Sequence, residues 1–125
     1  MTDTNTYDSI SQLKPYVIWS GAVARAVHGE RVTVAVVELE PHQEVPEHHH
    51  DNEQVGFVLR GMITMTIAGV ARDLRVGETY VIPGDVPHSA ATRGEGATVV
   101  DVFAPIRTDW EQVPRLDPSP GRWPD

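Results

Sequence analysis

The chain has 125 residues, which suits one domain and is too short for two ordinary ones. Ten Lys and Arg residues against eighteen Asp and Glu residues leave a net charge of −8, which argues against binding to nucleic-acid phosphates. The absence of Cys excludes disulfides, thiolate catalysis and Cys-based metal sites, and no apolar run is long enough to span a membrane. We therefore expect a soluble, cytoplasmic protein that binds neither nucleic acid nor membranes.

The two ends of the chain differ in composition from its middle. Residues 1–15 are rich in Thr, Asp, Asn and Ser, and they predict a flexible N-terminal arm. Residues 111–125 contain four of the ten prolines and predict a Pro-rich tail without regular structure. The single predicted domain is then residues 16–110.

Strand signals dominate this domain, and no segment of ten residues shows a helical period. The predicted strands are 31–40, 54–59, 62–68, 79–82 and 97–103, which are short and rich in β-branched or aromatic residues. Tight turns are predicted at Arg60-Gly61 and Gly69-Val70, and His28 is also placed in a turn. So many short strands require a barrel or a sandwich, so the fold class is all-β.

Four of the six histidines fall between residues 42 and 50. In a strand, residues i and i+2 face the same side, so His48 and His50 point one way and His49 points the other. Two such imidazoles, about 7 Å apart, can converge on one cation. His88 closes a strand–turn–strand pattern and offers a third imidazole, which makes a divalent metal site with open positions. The alternative is a solvated polar loop.

The order of these residues resembles the two signature motifs of the cupin superfamily over residues 20–107. The first motif is matched by His48, His50, Gln54 and Gly61, and the second by Gly77, Pro83 and His88. The resemblance implies a cupin-type jelly-roll β-barrel in a single domain. It also implies one divalent metal (Zn, Ni, Fe, Mn or Co) held by His48, His50, Gln54 and His88.

Gln54 departs from the family pattern, which usually has Glu at this position. A neutral amide leaves a divalent site with a net charge of +2 rather than +1, which makes the metal a stronger Lewis acid. A neutral amide ligand also stabilises a ferric ion poorly, and this disfavours a redox reaction at the metal. The alternative ligand, Glu53, is disfavoured because strand alternation turns it away from the side that Gln54 shares with His50.

A second group of candidate site residues lies near the end of the predicted domain. Asp101 and Phe103 share one strand face, and a carboxylate on an interior face is costly unless it is paired or functional. Asp101 is therefore a candidate general acid or base, and Arg107 can hold a substrate carboxylate with two hydrogen bonds. The alternatives are a solvated Asp101 and an ordinary surface ion pair at Arg107.

Within cupins, a Gln in the metal site with an Asp-x-Phe-x-x-x-Arg ending resembles the uronate-processing KdgF type, which opens the ring of unsaturated uronate monomers. The resemblance implies that Asp101 and Arg107 are catalytic and that Phe103 and Arg107 bind the substrate. We expect a non-redox, metal-dependent enzyme, isomerase-like or lyase-like, acting on a small acidic carbohydrate.

Two other interpretations stay open. One is an Fe or Mn cupin dioxygenase, or a polyketide cyclase, acting on an aromatic substrate. The other is a non-catalytic cupin that binds a metal or a sugar. The apolar segment around Trp19 resembles the strand that pairs across the dimer in such barrels, so a homodimer is expected.

Overall fold

The structure is a computed structural model that describes residues 6–124. The first five residues of the predicted arm and Asp125 lie outside the described residues. The elements of residues 6–124 are the strands β1 (Tyr16–Trp19), β2 (Ala22–His28), β3 (Thr33–Leu39), β4 (Glu44–His48), β5 (Glu53–Ile67), β6 (Val70–Arg75), β7 (Thr79–Ile82) and β8 (His88–Ala104), with 3₁₀ helices at Ile10–Gln12 and Thr108–Gln112. The all-β prediction is confirmed. Neither of these helices has the length or the apolar character needed to cross a membrane.

The strands pair in the order β1-β2-β3-β8-β5-β6, with β4 on β8 and β7 on β5, and every pairing is antiparallel. The two longest strands, β5 and β8, connect the two halves of the barrel. The first half of β5 pairs with β7 and with the end of β8, whereas its second half pairs with β6 and with the start of β8. This arrangement is the predicted jelly-roll barrel, and it encloses a single hydrophobic core.

The predicted turn at Arg60-Gly61 is wrong, because both residues lie inside β5. The register with β8 shifts between Val58 and Arg60, which marks a β-bulge. Gly61 has a φ of +75°, and a Cβ at this position would lie 2.2 Å from the carbonyl oxygen of Gly96. A turn-forming glycine therefore lets β5 bend from one half of the barrel to the other. The second turn is present at Ala68 and Gly69, one residue earlier than predicted.

The sequence did not predict the strands β2 and β6, and it placed a strand through His48 and His50, whereas β4 ends at His48. The inward positions of β2 are alanines, such as Ala24 and Ala26, which have a weak preference for strands but fit against the opposite sheet. His28 is the last residue of β2 rather than part of a turn. It is buried, with its Nδ1 2.8 Å from the hydroxyl of Thr33, so the turn prediction is corrected.

The C-terminal tail lies against the barrel. Tyr16 of β1 forms an isolated bridge with Arg115, whose guanidinium lies 4.1 Å from the Tyr16 ring centroid. Further along, Arg25 of β2 donates from Nε to the carbonyl oxygen of Ser119 at 3.2 Å. The tail thus runs along β1 and β2 over the outside of the barrel.

Candidate metal centre

Three histidines come together at one end of the barrel. His48 ends β4 and His88 begins β8, and the two residues are directly opposite each other in the antiparallel pairing. His50 lies in the loop after β4, not within the strand as predicted, yet it faces the same point. The ring centroids are 4.3 Å apart for His48 and His88, 4.9 Å for His50 and His88, and 5.8 Å for His48 and His50. One ring nitrogen of each residue lies within 4.8 Å of those of the other two.

Backbone carbonyl groups determine the tautomer of all three imidazoles. Each Nδ1 lies at hydrogen-bond distance from a main-chain oxygen: His48 from Pro46 at 2.8 Å, His50 from Asn52 at 3.1 Å, and His88 from Val86 at 2.9 Å. A carbonyl oxygen only accepts, so each Nδ1 donates its proton to this bond. Each neutral ring therefore has a free lone pair on Nε2, which is the form that binds a metal.

The donor set fits a divalent cation. The Nε2 of His50 is buried and has no hydrogen-bond partner among the described residues. Burial lowers the pKa of His88 to about 4 and also lowers the pKa of His50, so both rings are neutral near neutral pH. A close group of neutral imidazole nitrogens is a suitable ligand set for Zn, Ni, Fe, Mn or Co.

Gln54 lies beside the histidines on the inner face of β5. Its side chain is buried, whereas Glu53 is exposed on the opposite face, as strand alternation predicted. The Gln54 amide lies next to both His50 and Asp101. Its oxygen is available as a fourth ligand, and that role stays a prediction.

Asp101 projects into the barrel from β8 with a relative exposure of 5%. Burial raises the pKa of Asp101 to about 6, although hydrogen bonds from Tyr80 and Gln54 favour its ionised form. The Tyr80 hydroxyl donates to Oδ1 of Asp101 at 2.5 Å. The carboxyl group is therefore buried and held in place, and the solvated alternative does not apply.

Gly56 makes this hydrogen bond possible. It is opposite Asp101 on one side of β5 and opposite Tyr80 on the other. A Cβ at Gly56 would lie 2.5 Å from both Oδ1 of Asp101 and the hydroxyl oxygen of Tyr80. The sequence did not assign a role to Tyr80, and a glycine inside a predicted strand is the signal that indicates this close approach.

Arg107 follows β8 at the mouth of the barrel. Its guanidinium lies 4.6 Å from the Phe103 ring centroid and 4.7 Å from that of Trp110. It also forms two hydrogen bonds to Asp109, from Nε at 3.0 Å and from Nη2 at 2.9 Å. The side chain of Arg107 is only 11% exposed, whereas that of Asp109 is 59% exposed. Arg107 is thus both an ion-pair partner and a cavity residue.

Asn52 connects this mouth to the histidines, and the sequence did not predict its role. Its side chain is buried and donates from Nδ2 to the carbonyl oxygens of Pro105, at 2.6 Å, and Ile106, at 3.3 Å. Its own carbonyl oxygen is the one that contacts His50. One residue therefore fixes both the orientation of an imidazole and the loop that leads to Arg107.

These side chains surround one cavity of about 330 Å³, which we call the barrel cavity. Much of its wall is apolar, including Ile63, Met65, Val99 and Phe103. Its polar and ionisable lining residues are His48, His49, His50, Gln54, Tyr80, His88, Ser89, Asp101, Arg107 and Asp109. This size and this lining are typical of a site for a small molecule. The structure thus brings every residue of the predicted site to the same cavity.

Comparison with known proteins defines the family. Residues 35–103 match the Cupin domain family Cupin_2 over more than half of the chain, so the chain belongs to this family. A segment of 65 residues, 52% of the chain, is 29% identical to the pectin degradation protein KdgF of Dickeya dadantii (strain 3937). A segment of 75 residues, 58% of the chain, is 33% identical to the H2HPP isomerase of Bacillus subtilis. The matches cover 59% and 31% of those two relatives, so the chain spans less than two thirds of either.

Solved structures share the fold. KdgF from Halomonas sp. superimposes with a TM-score of 0.76 at 23% identity, over 85% of this chain and 98% of that one. An RmlC-like cupin from Shewanella frigidimarina NCIMB 400 gives a TM-score of 0.80 at 22% identity, over 88% and 99%. The prediction of a small cupin similar to KdgF is confirmed.

Proposed function

We propose that this cupin is a metal-dependent enzyme that opens the ring of a small unsaturated uronate without redox chemistry. One observation carries the proposal: the buried carboxyl group of Asp101 lies in the same cavity as the cation of Arg107 and three histidines that are close enough together to bind one metal ion. The similarity to a pectin degradation protein supports a substrate derived from an acidic sugar. The similarity to an isomerase supports a reaction without net oxidation.

The metal would be held by the Nε2 atoms of His48, His50 and His88, with Gln54 as the fourth ligand. When it is bound, a divalent ion supplies Lewis acidity toward a substrate oxygen, and the neutral amide of Gln54 leaves its full charge in place. The hydrogen bonds of the three Nδ1 atoms to backbone carbonyls hold the rings in the required orientation.

Asp101 would move the proton. Opening a hemiacetal removes a proton from the anomeric hydroxyl, breaks the bond between the anomeric carbon and the ring oxygen, and adds a proton to that oxygen. No electron is gained or lost, so one acid–base group near both oxygens is sufficient. A carboxyl group with a pKa of about 6 is able to accept and return a proton near neutral pH. Tyr80 orients this group and acts as a positioning residue.

Arg107 would bind the uronate carboxylate, with Phe103 forming the adjacent wall. Asp109 accepts hydrogen bonds from Nε and from one N–H of Nη2 of Arg107. Three of the five N–H donors of the Arg107 guanidinium therefore remain for a substrate. A local cation is necessary because the net charge of −8 repels anions from the protein as a whole. The partner is thus a small molecule, and the expected homodimer stays a prediction.

The direct test follows the loss of the ultraviolet absorbance of unsaturated galacturonate and of unsaturated mannuronate or guluronate monomers. We expect turnover by metal-loaded protein, none after chelation, and recovery when the metal is returned. Metal-loaded protein that leaves all of these substrates unchanged would refute the proposal. Oxygen consumption with Fe(II) and phenolic substrates would instead support the dioxygenase, and binding of a uronate without turnover would support the non-catalytic cupin.

A further inference from the structure

Three buried polar residues lie outside the lining of the barrel cavity, and the proposed reaction does not use them. They are Tyr16 of β1, His28 at the end of β2 and Thr33 at the start of β3, with relative exposures of 2%, 6% and 0%. Burying hydroxyl and imidazole groups costs free energy unless they are hydrogen-bonded. The hydrogen bonds that these three side chains form therefore indicate their role.

The three side chains form one line of hydrogen bonds. His28 lies opposite Thr33 in the pairing of β2 with β3, and its Nδ1 is 2.8 Å from Oγ1 of Thr33. Its Nε2 is 3.1 Å from the hydroxyl oxygen of Tyr16. At the other end of the line, the main-chain N–H of Arg107 donates to Oγ1 of Thr33 at 3.0 Å. The line therefore ends at the residue that is proposed to bind the substrate carboxylate.

The hydrogen bond from Arg107 determines which atom donates at each step of this line. The Thr33 hydroxyl accepts from Arg107, and of the two partners that the structure gives it only Nδ1 of His28 is able to accept. The hydroxyl therefore donates to Nδ1, and the ring proton of His28 is on Nε2, which donates to the Tyr16 oxygen. This tautomer is the opposite of that of the three histidines at the metal centre. His28 thus turns a lone pair of the Thr33 hydroxyl toward Arg107.

The Tyr16 end of the line returns to the same arginine through Trp110. The ring centroids of Tyr16 and Trp110 are 5.7 Å apart, and the Trp110 ring centroid is 4.7 Å from the Arg107 guanidinium. The main-chain N–H of Trp110 also donates to the carbonyl oxygen of Arg107 at 3.2 Å. The four residues Tyr16, His28, Thr33 and Trp110, called the Arg107 network below, thus connect the main chain of Arg107 to its side chain.

We infer that Thr33 is a positioning residue for Arg107, with His28 and Tyr16 fixing the direction of its hydroxyl group. This inference rests on the proposed role of Arg107 in binding a carboxylate. Arg107 lies between the end of β8 and the 3₁₀ helix at Thr108–Gln112, where no strand pairing holds its main chain. The bond to Thr33 takes the place of such a pairing. A cation that is ordered before the substrate arrives binds it more tightly, because less conformational freedom is lost on binding.

Steady-state kinetics on an unsaturated uronate test the inference with two variants at one position. Thr33→Val keeps the shape of the side chain and removes the acceptor, whereas Thr33→Ser keeps the hydroxyl group. Thr33→Val should raise KM by about 3- to 10-fold and leave kcat within about two-fold, a moderate effect because Asn52 still holds the preceding segment. Thr33→Ser should restore KM to within about two-fold of the wild type. A wild-type KM for Thr33→Val, or a loss confined to kcat, overturns the inference.

Thr98→Val separates positioning from stability. Thr98 is also fully buried, at 0% exposure, and its hydroxyl accepts a hydrogen bond from Nε of Arg60 at 3.2 Å. Arg60 is not among the residues that line the barrel cavity. Both valine variants lose a buried acceptor, so both should lower the midpoint of urea unfolding. Only Thr33→Val should change KM, and equal changes of KM in the two variants overturn the inference.

Amide hydrogen exchange measured by NMR provides a readout that needs no substrate. The Arg107 amide should be protected in the wild type by its bond to Thr33. Thr33→Val should speed its exchange by roughly 10-fold or more, whereas Thr33→Ser and Thr98→Val should leave it protected. Unchanged exchange in Thr33→Val overturns the inference. If exchange behaves as expected and no uronate is turned over, the proposed function fails and the positioning of Arg107 stands.

A variant at the far end of the network keeps the test decisive if Thr33→Val folds poorly. Tyr16→Phe keeps the buried ring and removes only the hydroxyl group that is bonded to His28. It should speed exchange of the Arg107 amide and raise KM by about 2- to 3-fold, less than Thr33→Val, because it acts through two further hydrogen bonds. Tyr7→Phe, at a 90% exposed position, is the matched control. Identical exchange and KM in the two phenylalanine variants overturn the inference.

Discussion

The inner and outer faces of the same strands have opposite character. Inside the barrel, β5, β7 and β8 hold Gln54, Tyr80 and Asp101, which are polar and almost fully buried. Outside, the same strands expose valines. Burying a carboxyl group costs free energy and raises the pKa of Asp101, whereas an exposed valine costs a monomer little. The inner face therefore contains the buried polar residues of the candidate site, whereas the outer face exposes apolar side chains.

The strongest way to disrupt the inner face is to remove its metal ligands. Protein purified without a histidine tag should contain close to one divalent metal per chain, and the double variant His48→Ala/His50→Ala should lose it, because only two of the four proposed ligands remain. His49→Ala removes an exposed imidazole between them and should retain the metal. Elemental analysis of the wild-type protein and the two variants measures the metal content per chain. Equal metal content in all of them would refute the proposed centre.

Replacement of the buried carboxyl group should have the next largest effect. Asp101→Asn keeps an oxygen that accepts the Tyr80 hydrogen bond but cannot transfer a proton. We expect kcat on an unsaturated uronate to fall by roughly 10²- to 10⁴-fold with little change in KM. Steady-state kinetics with Asp117→Asn, an exposed position in the tail, provides the control. A wild-type kcat for Asp101→Asn would rule out this residue as the proton carrier.

Loss of the cation at the cavity mouth should act on binding instead. Arg107→Ala should raise KM by roughly 10- to 100-fold, because a charge-assisted contact to a carboxylate is lost, and it should leave kcat within a few-fold. Asp109→Asn removes the competing carboxylate and should lower KM a few-fold. Arg72→Ala, at an exposed position on β6, is the matched control. A change confined to kcat would indicate that Arg107 acts on the reacting atoms.

The smallest expected effect is on the free energy of unfolding, and it comes from substitutions on the two faces of β8. Val99 is buried on the inner face at 2% exposure, whereas Val102 is 36% exposed on the outer face. Val99→Thr should lower the free energy of unfolding by about 1–3 kcal/mol, because it buries a hydroxyl group. Val102→Thr should change it by less than about 0.5 kcal/mol in urea titrations of dilute protein. Equal losses would mean that the outer face is already covered within the monomer.

Strand alternation explains why much of the site could be predicted from the sequence. The period of two placed Gln54 on the side of His50 and Asp101 on the face of Phe103. The cupin resemblance joined His88 to the earlier histidines and implied a role for Asp101 in the site. The hydrogen bond between Tyr80 and Asp101 could not be predicted in this way, because strand pairing joins residues that are 21 positions apart. The ion pair of Arg107 with Asp109 depends on the conformation of a short 3₁₀ segment, for which no periodicity exists.

The strands also divide into those that the sequence predicted and those that it did not. The β-branched strand β7 was predicted at its observed bounds, Thr79–Ile82, because its residues favour an extended backbone. Strand β6 consists largely of charged and small residues, and only its pairing with β5 makes it extended. One long strand, β5, was predicted as two, because a glycine with positive φ has the same local signature in a hairpin and in a bulge.

The carbonyl groups that orient the three imidazoles have a consequence for how this centre can evolve. A main-chain oxygen is present whichever side chain occupies positions 46, 52 and 86, so no single substitution there deletes an acceptor. The acceptor at position 52 is itself held in place by the hydrogen bonds of the Asn52 side chain. A substitution of Gln54, in contrast, changes the charge of the centre without removing any of the three acceptors. The charge at the centre can therefore change at one position while the three histidines keep their backbone acceptors.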